Sequence, residues 1–160
     1  MNAILDQSYE RQEFPLGDKM RIHDAEYIFC KFNAGDIGAS GVAGQLVVAL
    51  DSAYERFEVT CHLDSSTIKA INAMPVGILQ AAVDDGDYVW VQFAGKGRKD
   101  ITTDGAITQG MTLMASTTSD VGLVVQHDAS AVPMVGVALE TDDASTAVLD
   151  AGEYYLTLAL

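Results

Sequence analysis

The sequence predicts a mainly β fold, a small β-barrel or β-tulip-like domain preceded by an extended N-terminal arm. Three observations predict it. From Lys19 onward apolar residues recur mostly every second position, the period of a strand with one buried face. Glycine is frequent, at 14, against 3 prolines, a composition of strands and turns. Turn-forming clusters also separate the alternating runs at short intervals, as in barrels and sandwiches.

The arm comes first. Residues 1–14 mix polar side chains with Ile4, Leu5, Tyr9 and Phe14 and end at Pro15, with neither helical nor strand periodicity. Such a segment is either a frayed terminus or one that orders against a partner, with those four side chains as anchors. Residues 15–160 then form one β-rich domain, a length that supports a single core without metal or disulfide.

The strands follow in order. Tyr27–Phe32 places Ile28, Cys30 and Phe32 on one face. Gln45–Leu50 is a shorter candidate. In Phe57–Asp64, Phe57, Val59, Cys61 and Leu63 point one way and Glu58, Thr60, His62 and Asp64 the other. Ser65–Ala73 is the one stretch suited to a turn of helix, with Ser65 or Ser66 as cap. Gly77–Val83 precedes Tyr88–Phe93, where Val89, Val91 and Phe93 oppose Tyr88 and Trp90. Met111–Ala115, Val121–Gln126 and Met134–Leu139 come next. The chain closes with Tyr154, Leu156, Leu158 and Leu160 alternating with Tyr155, Thr157 and Ala159. Between these runs lie Gly35-Asp36, Asp85-Gly86-Asp87, Gly95-Lys96-Gly97, Asp104-Gly105 and Ala151-Gly152.

One internal echo joins the halves. Val76–Val91 and Val135–Leu158 each open on Val-Gly and reach Gly-acid-Tyr, at Gly86-Asp87-Tyr88 and Gly152-Glu153-Tyr154. The second copy carries about seven extra residues around Ser145–Asp150. The echo predicts two similar hairpins, one in each half of a barrel.

Composition narrows the partners. Acidic residues outnumber basic ones 23 to 9, for a net charge of −14. That field repels phosphate backbones and anionic lipid, so neither nucleic acid nor a membrane surface is expected as partner. No run approaches the 18 apolar residues of a membrane span, and no signal segment opens the chain, so folding in a cytoplasm is expected. Cys30 and Cys61 sit in apolar alternating runs and read as buried free thiols.

No catalytic set is visible. His23, His62 and His127 share no ligand spacing and read as surface residues. Asp84, Asp85 and Asp87 lack a calcium-loop frame and read as a solvated turn. Gly95–Lys99 lacks a phosphate-loop frame and reads as a solvated hairpin tip, or else as a contact to an acidic partner. Tyr88, Trp90 and Tyr155 lie on outer faces. The pair Tyr88 and Trp90 would stack on a sugar or base, or pack on a neighbouring sheet or subunit. No enzyme activity, metal or cofactor is expected.

The ordered segments Phe14–Val48, Val76–Gln80, Gly86–Val91, Asp104–Ser116 and Val135–Glu140 resemble the pattern of tailed-bacteriophage capsid decoration, or cement, proteins. The resemblance spans most of residues 14–160; Ala49–Met74 and the insertion near Ser145 depart from it. It implies a virion structural protein, often a homotrimer, that clamps the outside of an icosahedral shell assembled in the host cytoplasm. The arm would touch the major capsid protein. The alternatives are a carbohydrate- or other ligand-binding barrel module and another virion component of tail or neck.

Overall fold

The computed structural model describes residues 3–34, 39–50, 57–61, 74–103, 105–116, 124–126, 134–142 and 148–158, and every described regular element is a strand. The strands are β1 (Lys19–Ile22), β2 (Ala25–Phe32), β3 (Leu46–Ala49), β4 (Glu58–Thr60), β5 (Pro75–Leu79) and β6 (Tyr88–Lys96). They continue as β7 (Ile101–Thr102), β8 (Thr112–Ala115), β9 (Val124–Gln126), β10 (Met134–Ala138), β11 (Val148–Leu149) and β12 (Tyr154–Thr157). The helical turn expected at Ser65–Ala73 lies outside the described residues.

Five strands close into a barrel. β2 pairs antiparallel with β6 from Ala25–Gly95 to Lys31–Tyr88, and its far end pairs in parallel with β4. The ring β2-β4-β3-β5-β6 therefore returns to β2 and removes the open edges that invite aggregation. Ile28, Cys30, Phe32, Val89, Val91 and Phe93 fill the interior, the face that alternation assigns to burial. Both cysteines are buried free thiols there.

The sheet continues past the barrel as β6-β12-β10-β8-β9. A short β7–β11 pair stands beside it. This second half has its own core, built from Ile101, Leu113, Val135, Leu149, Tyr154 and Leu156. Leu46, Val48 and Ile78, on the outer face of β3 and β5, plug that core. The expected two halves of one barrel are thus corrected to a closed barrel and a second β unit seated on its wall.

The two units repeat each other bond for bond. Gly44 N–H donates to the Leu79 carbonyl as Gly110 N–H does to Ala138, both at 2.9 Å. Leu79 N–H donates to Gln45 at 2.9 Å, and Ala138 N–H to Met111 at 3.0 Å. Gly41 bridges Val83 as Ile107 bridges Asp142. The Val-Gly echo has a physical cause here. A Cβ at Gly77 would strike the Gln92 carbonyl, and one at Gly136 the Tyr155 carbonyl. Only glycine permits that approach.

The Gly-acid-Tyr half of the echo is out of structural register. Leu79 pairs Val91, five residues after Gly86; its counterpart Ala138 pairs Tyr154, two residues after Gly152. The shift is three residues, an odd number, so it reverses the face. Tyr88 points outward, while Tyr154 enters the second core and its hydroxyl donates to the Lys99 carbonyl at 2.6 Å.

Candidate interaction surface

The outer side of the barrel where β2 meets β6 carries Tyr27, Phe29, Tyr88 and Trp90. Alternation places them there because their neighbours fill the interior. The platform does not face solvent. Residues 5–14 lie across it: Leu5 is 6% exposed, and Tyr9 and Phe14 pack against the same cluster. The Phe14 ring centre stands 5.2 Å from both Phe29 and Trp90, and Phe29 stands 5.1 Å from Trp90. Tyr9 meets Phe29 edge-on at 5.7 Å. Such tilted and edge-to-face pairs add about 0.5–1.5 kcal/mol each beyond their buried area.

Polar ties are few. Tyr9 and Tyr88 exchange backbone bonds as an isolated antiparallel bridge. Asp6 pairs with Lys99 at 2.6 Å, and the Tyr9 hydroxyl donates back to the Ile4 carbonyl at 2.9 Å. The segment then turns at Pro15–Asp18, where Gly17 N–H donates to Phe29 and Phe29 N–H to Asp18, both at 2.9 Å. Gly17 has φ +83° and sits on the Phe57 ring, so the turn admits no side chain there.

The positions of the sequence-predicted residues follow from this arrangement. Of the arm residues, Leu5, Tyr9 and Phe14 are spent on the chain's own barrel, and Ile4 is exposed at 41%. Trp90 is on the outer side as read, yet only 2% exposed, because the arm covers it. It is therefore unavailable to a sugar or a partner while the arm is docked. Its indole N–H has no hydrogen-bond partner among the described residues, a polar group held in an aromatic setting. Tyr88 is half-buried, and Tyr155 is exposed at 43% in the second unit, away from the platform.

The basic segment after β6 is not a free hairpin tip. Arg98 pairs with Asp24 and Lys99 with Asp6, while the Gly97 backbone lies against the Tyr154 ring. A cavity of about 450 Å³ opens at the arm's edge, lined by Leu5, Asp6, His23, Tyr27, Arg98 and Lys99 among others. A backbone hydrogen bond, with the Arg98 guanidinium, holds the Asp24 carboxyl below its usual range despite some desolvation. Burial pushes the Tyr27 phenol up. His23 is exposed at the β1–β2 turn with φ +57°; His62 and His127 lie outside the described residues. The Asp84–Asp87 segment is a turn, closed by Asp87 N–H to the Asp84 carbonyl at 3.1 Å, and Asp85 accepts from Ala34 N–H at 2.8 Å. Among the described residues no three of His, Cys, Asp and Glu gather as metal ligands.

The fold is that of a small mainly β barrel protein. No protein-family model matches the sequence, and neither does any curated protein. Among solved structures the chain is similar to the N base of head fiber gp8.5 of bacteriophage phi29. The TM-score is 0.47 at 16% identity, over 82% of this chain and 99% of that one.

Proposed function

We propose that the protein is a non-enzymatic virion component, a decoration protein that binds the major capsid protein on the outside of an icosahedral shell. It acts as a symmetric homo-oligomer, a trimer in this reading. The resemblance of residues 14–160 to cement proteins supports it. The observation that carries it is the docking of residues 5–14 on the aromatic platform. The arm buries three apolar side chains but joins the barrel backbone through one bridge.

The energies make that arm exchangeable. Burying a large apolar side chain contributes about 1.5–3 kcal/mol. Fixing each residue's backbone costs about 1–2 kcal/mol. Burial of three side chains does not exceed the backbone cost of ordering ten residues, so docking on the chain's own barrel is shallow. A shell strand that offers continuous backbone pairing outcompetes it by strand addition. Attachment repeated over a symmetric lattice then turns modest contacts into firm retention.

The test is sedimentation of the purified protein with expanded shells of its virus. Full-length protein co-sediments at saturating occupancy. A chain lacking residues 1–12, and one with Ile4, Leu5 and Tyr9 replaced by Ser, lose most of that occupancy. Wild-type occupancy by the truncated chain would make the arm a passive strap.

A further inference from the structure

We infer that the cavity at the arm's edge is a binding site for a neutral saccharide, recognised between Tyr27, Gln80 and the Arg98-Lys99 segment. The inference does not rest on the shell-binding reading, and the site is separate from the Trp90 platform that the arm covers.

Strand β6 organises the cavity. Tyr27 pairs across from Gln92 on one side of β6, and on the other side Gln80 N–H donates to the Trp90 carbonyl at 3.2 Å. Gln92 is completely buried and turns the following chain back: its Nε2 donates to the Lys96 carbonyl at 2.8 Å, and its Oε1 accepts from Arg98 N–H at 3.1 Å. The Tyr154 hydroxyl fixes the Lys99 carbonyl at 2.6 Å. Two buried side chains thus hold the backbone that presents both cations. Leu5 and Asp6 of the docked arm add a further wall, enclosing about 450 Å³. That lies within the roughly 300–1,000 Å³ of small-molecule sites.

The cavity holds polar groups without partners. Tyr27 is only 1% exposed and lines the cavity, yet its hydroxyl makes no hydrogen bond among the described residues. Burial keeps that phenol protonated at neutral pH, with the charges of Arg98, Asp24 and Asp6 also acting on it, so it both donates and accepts. A hydroxyl so placed calls for a partner from the cavity. Gln80 is likewise 1% exposed and lines the cavity; its Nε2 donates to the Ile78 carbonyl at 3.0 Å, which leaves Oε1 as an acceptor.

These groups select the ligand's chemistry. Arg98 pairs with Asp24 and Lys99 with Asp6, so the two cations are balanced by two carboxylates. Guanidinium and ammonium keep N–H donors beyond those bonds and require acceptors on the ligand. Gln80 Oε1 and the carboxylates require donors. A phosphate dianion or carboxylate offers acceptors alone and would stand beside Asp6 and Asp24. Vicinal hydroxyls of a neutral sugar offer both, and Leu5 and Ile22 supply apolar wall for its C–H face.

The test titrates the full chain, free of any shell, with glucose, galactose, mannose, N-acetylglucosamine and their 1,4-linked disaccharides, and in parallel with inorganic phosphate and acetate. Calorimetry is expected to show saturable binding of at least one neutral sugar, with a Kd on the order of 1 mM. Tyr27→Phe, which removes only the hydroxyl, should weaken it roughly 3- to 10-fold, and Arg98→Met about 10-fold or more. Tyr155→Ser, exposed on the second unit, leaves it unchanged. Amide chemical shifts of the unmutated chain guard against misfolded variants: the sugar should move His23, Asp24, Arg98 and Lys99. Absence of binding by every sugar up to about 50 mM would overturn the inference. So would binding of phosphate or acetate in place of sugar, undiminished affinity in both folded variants, or shifts confined to other residues.

Discussion

Tyr9 and Tyr88 exchange two backbone hydrogen bonds, at 2.8 and 2.9 Å, and so stitch the N-terminal segment to the barrel wall at a single point. Around that stitch Leu5 and Phe14 close over Trp90. The covering segment and the covered platform are therefore one unit, held by side-chain burial far more than by backbone pairing.

Trp90 reports on this unit because it is the chain's one tryptophan. Deleting residues 1–12 is expected to shift its emission to longer wavelength and to lower stability by roughly 1–3 kcal/mol, the order of one or two buried apolar side chains. Fluorescence and urea denaturation measure both. Unchanged emission would mean that the arm does not cover the indole in solution.

Gly77→Ala and Gly136→Ala should each destabilise the fold by about 1–3 kcal/mol or more, since the new methyl meets a carbonyl of the adjoining strand. Gly110→Ala is the comparison. It has open space but φ +80°, so it carries only the backbone cost of about 1–2 kcal/mol. Denaturant midpoints for the three variants check the order, with Gly110→Ala the mildest.

Alkaline pH should unfold the protein earlier than an ordinary barrel. Burial raises the Cys30 and Cys61 thiols above 9.0 and the Tyr27 and Tyr154 phenols above 10.0. The unfolded chain releases these protons first, so it binds fewer protons than the native state and stability falls as pH rises. The loss begins near pH 9 and steepens past 10. Tyr154→Phe should flatten the upper part of that limb. At neutral pH it should cost about 1 kcal/mol for the lost bond to Lys99. Thermal melts from about pH 7 to 11 would check both signs.

Much of the fold was legible because alternation reports burial directly. Ile28, Cys30 and Phe32 of β2 and Val89, Val91 and Phe93 of β6 all point inward as read. Alternation assigns a side, however, and not what lies on it, which is why Trp90 read as open. The strands that escaped reading have too little pattern. Lys19–Ile22 is an edge strand whose alternation runs over only four residues, and Ile101–Thr102 and Val148–Leu149 are two residues each. The repeat was half visible. Val76-Gly77 and Val135-Gly136 share a glycine that backbone approach requires. By contrast, Gly41–Ala49 and Ile107–Ala115 share only Gly44/Gly110 and Ala49/Ala115. Their likeness is carried by backbone hydrogen bonds, which leave no mark on side chains. The pairing of Arg98 with Asp24 and Lys99 with Asp6 joins residues 74 and 93 apart in the chain, beyond the reach of local spacing.

The most direct measurement of the central claim is a cryo-EM map of the native particle. We expect barrel density on the outer surface of the shell at symmetric positions, with residues 1–14 lifted from Trp90 and laid along a strand of the major capsid protein. A shell surface bare of this density, or barrel density confined to the tail or neck, would contradict the account.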